Sequence, residues 1–95
     1  VGLLADARTL FIMAIDGRQE SHSRGVTLAE LAEVMIQFGA HHAINLDGGG
    51  STALVIKDPG TGVYALANQP SDLSSLNLPV RGERPVVDVV GIRIE

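Results

Sequence analysis

Thr27-Leu28-Ala29-Glu30-Leu31-Ala32-Glu33-Val34-Met35-Ile36-Gln37-Phe38-Gly39, leading on to Ala43-Ile44-Asn45-Leu46-Asp47, is the stretch from which the fold is read. Thr27 is placed to cap the backbone amide of Glu30 while Glu30 reaches back, the reciprocal arrangement that starts a helix. Leu28, Leu31, Ala32, Met35 and Phe38 recur at helical spacing, with Glu30, Glu33 and Gln37 off that stripe. Gly39 supplies a left-handed cap. After the helix, a period of two puts Ile44 and Leu46 on one face of a short strand and Asn45 and Asp47 on the other.

Working outward, Leu10-Phe11-Ile12-Met13-Ala14-Ile15 is a continuous apolar run ended by Asp16-Gly17, which predicts a central strand covered on both faces. Val1-Gly2-Leu3-Leu4 is expected to pair with it across the turn Ala5-Asp6-Ala7-Arg8. Downstream, strands over 51–57 and 63–67 flank Asp58-Pro59-Gly60-Thr61-Gly62 as a hairpin. Residues 68–84 read as a long loop, and 86–94 as a closing strand. The expected class is α+β: a mixed, mostly antiparallel sheet with one clear helix over 27–39, in one domain over 1–95. Val1 opens directly into a strand-like segment, so we expect a fragment of a larger domain with further sequence upstream.

At 95 residues, such a chain buries only about 60 to 65 per cent of its unfolded surface, so its core is small. A hydrophobic content of 45% with 19% charged residues is nonetheless that of a folding protein. The net charge is −4 and the seven Lys and Arg are scattered, which argues against nucleic acid or an anionic membrane as partner. No apolar run is long enough for membrane insertion as a helix. With no cysteine, thiol chemistry and disulfides are excluded.

Asn45-Leu46-Asp47-Gly48-Gly49-Gly50-Ser51-Thr52 carries the densest chemical information. Glycines lacking a Cβ let backbone amides approach a ligand and form an oxygen-binding nest, beside a carboxylate at Asp47 and a hydroxyl at Ser51. The bland alternative is a tight turn whose Asp47 accepts backbone hydrogen bonds. No Gly-Lys-Ser/Thr follows and no helix starts there, so neither a P-loop nor a dinucleotide site is present. Asp16-Gly17-Arg18 sets a carboxylate beside a guanidinium able to grip phosphate through two hydrogen bonds. Its bland alternative is an exposed turn with a surface ion pair. Arg84, before Pro85, is a further phosphate candidate or a solvated charge. His22, His41 and His42 read as surface or helix-end residues, with no metal-ligand spacing among them.

Taken in order, Asp16-Gly17-Arg18-Gln19, Gly25-Val26-Thr27-Leu28-Ala29-Glu30-Leu31-Ala32, Gly39-Ala40, Ala43-Ile44-Asn45-Leu46-Asp47-Gly48-Gly49-Gly50-Ser51 and Glu83-Arg84-Pro85-Val86 resemble the phosphodiester glycosidase family. The resemblance runs over nearly the whole chain. It implies the C-terminal half of a longer domain, and a secreted, periplasmic or lumenal hydrolase that cleaves sugar-1-phosphodiesters such as those of N-acetylglucosamine on exopolysaccharide or cell-surface glycans. It implies site positions at Asp16, Gly17, Arg18, Asn45, Asp47, Gly48, Gly49, Gly50, Ser51 and Arg84. Where relatives often carry Asn in the last strand, this chain has Asp88.

Glycosyl transfer to water needs a carboxylate near the anomeric carbon, and a phosphate leaves with little acid assistance. Asp47 is therefore expected as base or nucleophile, with Asp16 the competing carboxylate. Arg18 and Arg84 would hold the phosphate, while Asn45, Ser51 and the amides of Gly48, Gly49 and Gly50 would bind substrate oxygens. No cofactor is expected, and a divalent cation near Asp47 is left open. The expected partners are a small glycosyl-phosphate substrate and either the missing N-terminal half of the domain or a second copy of the chain. Two alternatives stand beside the enzyme: a non-catalytic sugar-phosphate or glycan-binding module, and a fragment that needs its other half to fold.

Overall fold

The computed structural model describes residues 1–72, 84–87 and 89–94. Among the described residues seven short elements follow one another: β1 (Gly2–Leu4), β2 (Leu10–Phe11), α1 (Leu28–Gln37), β3 (Ala40–Ala43), a 3-10 turn (Gly49–Ser51), β4 (Val55–Lys57) and β5 (Tyr64–Leu66). A three-stranded antiparallel sheet in the order β2-β1-β3 and an antiparallel hairpin β4-β5, with one helix, make the chain α+β.

The β1–β2 turn forms because Asp6 replaces missing backbone partners. One carboxylate oxygen accepts from the amides of Arg8 and Thr9, both at 2.9 Å, and the other from the Thr9 hydroxyl at 2.6 Å. The helix starts as its sequence requires: Thr27 Oγ1 accepts from the Glu30 amide at 3.2 Å, and Glu30 Oε2 accepts from the Thr27 amide at 2.7 Å. A cap of this kind contributes about 1 kcal/mol. At the other end, Gly39 takes a φ of 87°.

The helix meets the sheet at Met35, the buried hydrophobic residue among those described. A Cβ at Gly2 would stand 2.5 Å from Phe11 Cζ and 2.8 Å from Met35 Cε, so the absent side chain is what lets ring and thioether close over β1. Phe11 and Phe38 add a tilted ring pair with centroids 6.3 Å apart. The rest of the helical stripe is thinly covered, with Leu28 and Phe38 exposed.

Four sequence expectations are corrected. The apolar run at 10–15 pairs only over Leu10–Phe11, and it is not covered on both faces, since Leu10 and Ile12 are exposed. The register explains this: Phe11 lies opposite Gly2, so nothing in β1 stands opposite Met13, Ala14 or Ile15. By the same register β3 occupies Ala40–Ala43, not 43–47, and after the Val1–Ile44 backbone pair at 2.9 Å the chain leaves the ladder. The hairpin strands are shorter than expected, though their turn is as read, with Asp58 Oδ1 accepting from the Gly60 and Thr61 amides at 2.8 and 2.7 Å. Residues 86, 87 and 89–94 form no strand. A β-prone sequence becomes a strand only where a neighbour offers its ladder groups, and here Val87, Val89 and Ile94 stay exposed. The expected loop at 73–83 and the Asp88 position lie outside the described residues.

Candidate functional site

Two loops build the site, one after the 10–15 run and one after β3. The first is closed like a small hairpin: the Arg18 amide bonds the Arg24 carbonyl at 3.2 Å, and the Gln19 and Ser23 amides donate to each other's carbonyls at 2.9 and 2.8 Å. Its neck is narrow because Gly17 faces Gly25; a Cβ at Gly17 would stand 3.0 Å from Gly25 Cα. At the head of the loop Arg18 has a φ of 58°, a left-handed conformation uncommon for a residue with a side chain. Such geometry persists only where its surroundings over-determine it.

Asp16 supplies part of that determination. Its Oδ2 lies 2.8 Å from His22 Nε2, its Oδ1 accepts from the Gln69 amide at 2.8 Å, and its carbonyl accepts from Ser23 Oγ at 2.7 Å. The ion pair considered between Asp16 and Arg18 does not form; His22 takes that place. The hydrogen bond from His22 holds the Asp16 carboxyl below its ordinary value of 3.8, helped by the Gln69 amide and the Asn68 side chain and opposed by burial. Asp6, Glu30 and Asp58 are shifted the same way, chiefly by the Thr9 hydroxyl, the Thr27 amide and the Thr61 amide respectively.

All four carboxyls are lowered by folding, so near and below pH 4 the unfolded chain binds more protons than the folded one, and stability rises with pH there. Their contribution is complete above the unfolded values and is lost as pH falls through the folded ones. Thermal melts followed by circular dichroism should therefore move to lower temperature as pH falls below 4. A melting temperature unchanged down to pH 3 would contradict these assignments.

The second loop is the glycine turn. Asp47 is exposed, and one of its oxygens accepts from the adjoining Gly48 amide at 2.9 Å. Gly49 has a φ of 62°, and its missing side chain leaves room for Arg18: a Cβ there would stand 3.0 Å from Arg18 Cζ and Nη1. Gly50 is buried, and a Cβ on it would collide with the Asp72 carboxylate. Ser51 Oγ accepts from Arg84 Nη2 at 2.8 Å and Nε at 3.2 Å, while Arg84 Nε lies 3.5 Å from Asp72 Oδ2. Two guanidiniums therefore flank a three-residue turn. The amides of Gly49 and Gly50 open that turn with no acceptor among the described residues.

These groups face one cleft of about 1430 Å³, whose wall includes every site position read from the sequence, Asn45 among them. Sequence reasoning missed Gln19, Asn68, Gln69 and Asp72. Gln19 is 2% exposed; its Nε2 donates to the Gln69 carbonyl at 2.9 Å and the Gly17 carbonyl at 3.2 Å, and its Oε1 accepts from Gln69 Nε2 at 2.6 Å. Gln19 stood in the Asp16-Gly17-Arg18-Gln19 motif without a role, and the one signal for Asn68, Gln69 and Asp72 was the polar character of the segment from Asn68 onward, which names no partner. His41 and His42 lie edge to face on β3, with ring centroids 4.7 Å apart. Among the described residues no three His, Cys, Asp or Glu side chains gather as a metal site would need.

The fold and cleft define an α+β chain in which a glycine turn is set between two arginines with a free-edged carboxylate at its entrance. The phosphodiester glycosidase family model matches residues 1–93, and the chain belongs to that family. Over 63 residues, 66% of this chain, it is 43% identical to an N-acetylglucosamine-1-phosphodiester alpha-N-acetylglucosaminidase of Bos taurus. The matched part spans 10% of that relative's length. No solved structure matches the chain.

Proposed function

We propose that the cleft cleaves the glycosidic bond of a sugar-1-phosphodiester, within a phosphodiester glycosidase. The observation that carries this reading is the convergence of Arg18 and Arg84 on the glycine turn, at Gly49 and Ser51, next to Asp47. Two guanidiniums and the Gly49 amide, which has no acceptor among the described residues, suit a phosphodiester, which offers acceptor oxygens and a negative charge. Asp47 acts at the anomeric carbon as base or nucleophile. Water adds to that carbon, the bond from it to the phosphate oxygen breaks, and the phosphomonoester departs as an anion that needs little protonation. The free sugar and a phosphate-bearing partner are the products.

An N-acetylglucosamine-1-phosphodiester is the substrate class we favour, by likeness to the bovine relative's named activity, and we further propose a cell-surface glycan or exopolysaccharide as its carrier. An extracellular, periplasmic or lumenal setting fits such substrates. Among the described residues no helix is long and apolar enough to cross a membrane. The exposure of Val87, Val89 and Ile94 supports a cover supplied by further polypeptide of the same domain or by a second copy of the chain.

One observation favours a second reading, a non-catalytic sugar-phosphate-binding module: both Asp16 oxygens are engaged within the protein, and glycosidases ordinarily use two carboxyl groups. Hydrolysis of a sugar-1-phosphodiester panel by the natural full-length protein decides between them. Release of free N-acetylglucosamine from its 1-phosphodiester is expected. Binding without turnover, with or without added calcium or magnesium, would replace the enzyme by the binding module.

A further inference from the structure

The two site loops belong to different parts of the chain, and what joins them is a pair of consecutive residues outside both. Asn68 reaches toward the glycine turn: its Oδ1 accepts from the Leu54 amide at 2.7 Å, and its Nδ2 donates to the Thr52 carbonyl at 3.0 Å. Together these bonds imitate a rung of a β-ladder on the segment that leaves Ser51. Gln69 reaches the other way. Its amide donates to Asp16, its carbonyl accepts from Gln19, and its side-chain nitrogen donates to Gln19 Oε1. Those anchor points stand on either side of Arg18.

We propose that Asn68 and Gln69 are positioning residues that set the gap between Arg18 and the glycine turn. The proposal rests on the phosphate-binding role given to Arg18 above. Three features support it. Arg18 makes no side-chain hydrogen bond among the described residues, so its guanidinium is aimed by its backbone and by contact with Gly49. That backbone is left-handed and is pinned through its neighbours Asp16 and Gln19, both of which bond Gln69. Finally, the Gln19 end of the Gln19–Gln69 pair is buried, where an unpaired amide is costly, and buried Pro70 follows Gln69 with its fixed φ. Asn68 spends both of its side-chain polar atoms on the protein and Gln69 its side-chain nitrogen, so in this proposal they act through Arg18.

The test uses the natural full-length protein, its Gln69→Ala, Asn68→Ala and Asn68→Asp variants, and Gln69→Ala combined with Arg18→Ala. N-acetylglucosamine-1-phosphate serves as the binding probe. Gln69→Ala and Asn68→Ala should weaken binding about 10- to 100-fold, as small misplacements of a clamp do. Asn68→Asp, which keeps the acceptor for Leu54, should recover part of the loss. In the Arg18→Ala background Gln69→Ala should cost nothing more, because the group it positions is gone.

An equal loss in both backgrounds, or lower thermal stability with unchanged affinity in the folded protein, would overturn the clamp. A second readout needs no ligand: the Arg18 Nε–Hε heteronuclear NOE in nuclear magnetic resonance. It should fall in Gln69→Ala; no change there overturns the clamp. Absence of any binding by the natural protein would instead count against the functional reading, and the Arg18 NOE would still decide the clamp.

Discussion

Asp47→Asn should lower the turnover of a sugar-1-phosphodiester by about 10²- to 10⁴-fold, the range a positioned acid or base contributes, while leaving the protein folded. The fold should survive because Asp47 is exposed and, among the described residues, its one hydrogen bond is accepted from the amide of the next residue, which an asparagine carbonyl oxygen also accepts. Chemistry should not survive, since the amide has neither the charge to stabilise an oxocarbenium-like centre nor the basicity to activate water. Affinity for N-acetylglucosamine-1-phosphate should change little, because Arg18 and Arg84 are untouched. Asp16→Asn provides the contrast. It removes a carboxylate held by His22 and the Gln69 amide, so its first effect should be a lower melting temperature at neutral pH. If Asp47→Asn retained full turnover and Asp16→Asn lost it without a change in stability, the two carboxylates would exchange roles.

The second large effect is expected at Gly49. Its φ of 62° is left-handed, and a Cβ in that conformation costs about 1 to 2 kcal/mol before any contact is counted. The contact adds to it: the new atom would stand 3.0 Å from the Arg18 guanidinium, tighter than ordinary van der Waals contact, so the end of Arg18 must give way by a few tenths of an ångström. Gly49→Ala should thus lower the melting temperature by roughly 4 to 8 °C for each kcal/mol lost. Binding of the phosphate ester should fall further than stability alone explains. Gly48→Ala separates the two effects, since Gly48 is extended at a φ of −121° and a Cβ there meets nothing within 4 Å. It should be close to neutral in both measurements. Equal behaviour of the two variants would mean that neither the left-handed turn nor the Arg18 contact shapes the site.

Much of this was legible because it is local. The Thr27–Glu30 capping box, the Gly39 cap, the Asp6 and Asp58 turns and the β4–β5 hairpin all depend on residues within a few positions of one another. Composition bounded the size of the core for the same reason, being a sum over residues. The motif residues were also legible one by one: Arg18, Asp47, Gly49, Ser51 and Arg84 each carry a chemistry that a side chain or its absence confers. The phosphodiester glycosidase resemblance came from their order along the chain, and the family match over residues 1–93 bears it out.

Partnership between distant segments was decided by the tertiary structure. Apolar runs at 10–15 and 86–94 have equal claims to be strands, yet a ladder forms only where the β1 register supplies a neighbour, and it stops at Phe11. Asp16 and Arg18 are close in sequence, yet the carboxylate went to His22 and Gln69 because the loop turns left-handed between them. Asn68 and Gln69 carry no pattern at all, and their bonds reach Thr52, Leu54, Asp16 and Gln19 across separations that local spacing cannot encode. Side-chain chemistry and short-range turns are properties of residues and their near neighbours, so the sequence by itself determined them. Which loops face each other, and which polar groups are consumed in holding them there, depends on how the backbone's hydrogen bonds are satisfied across the whole chain, and only the folded chain decided it.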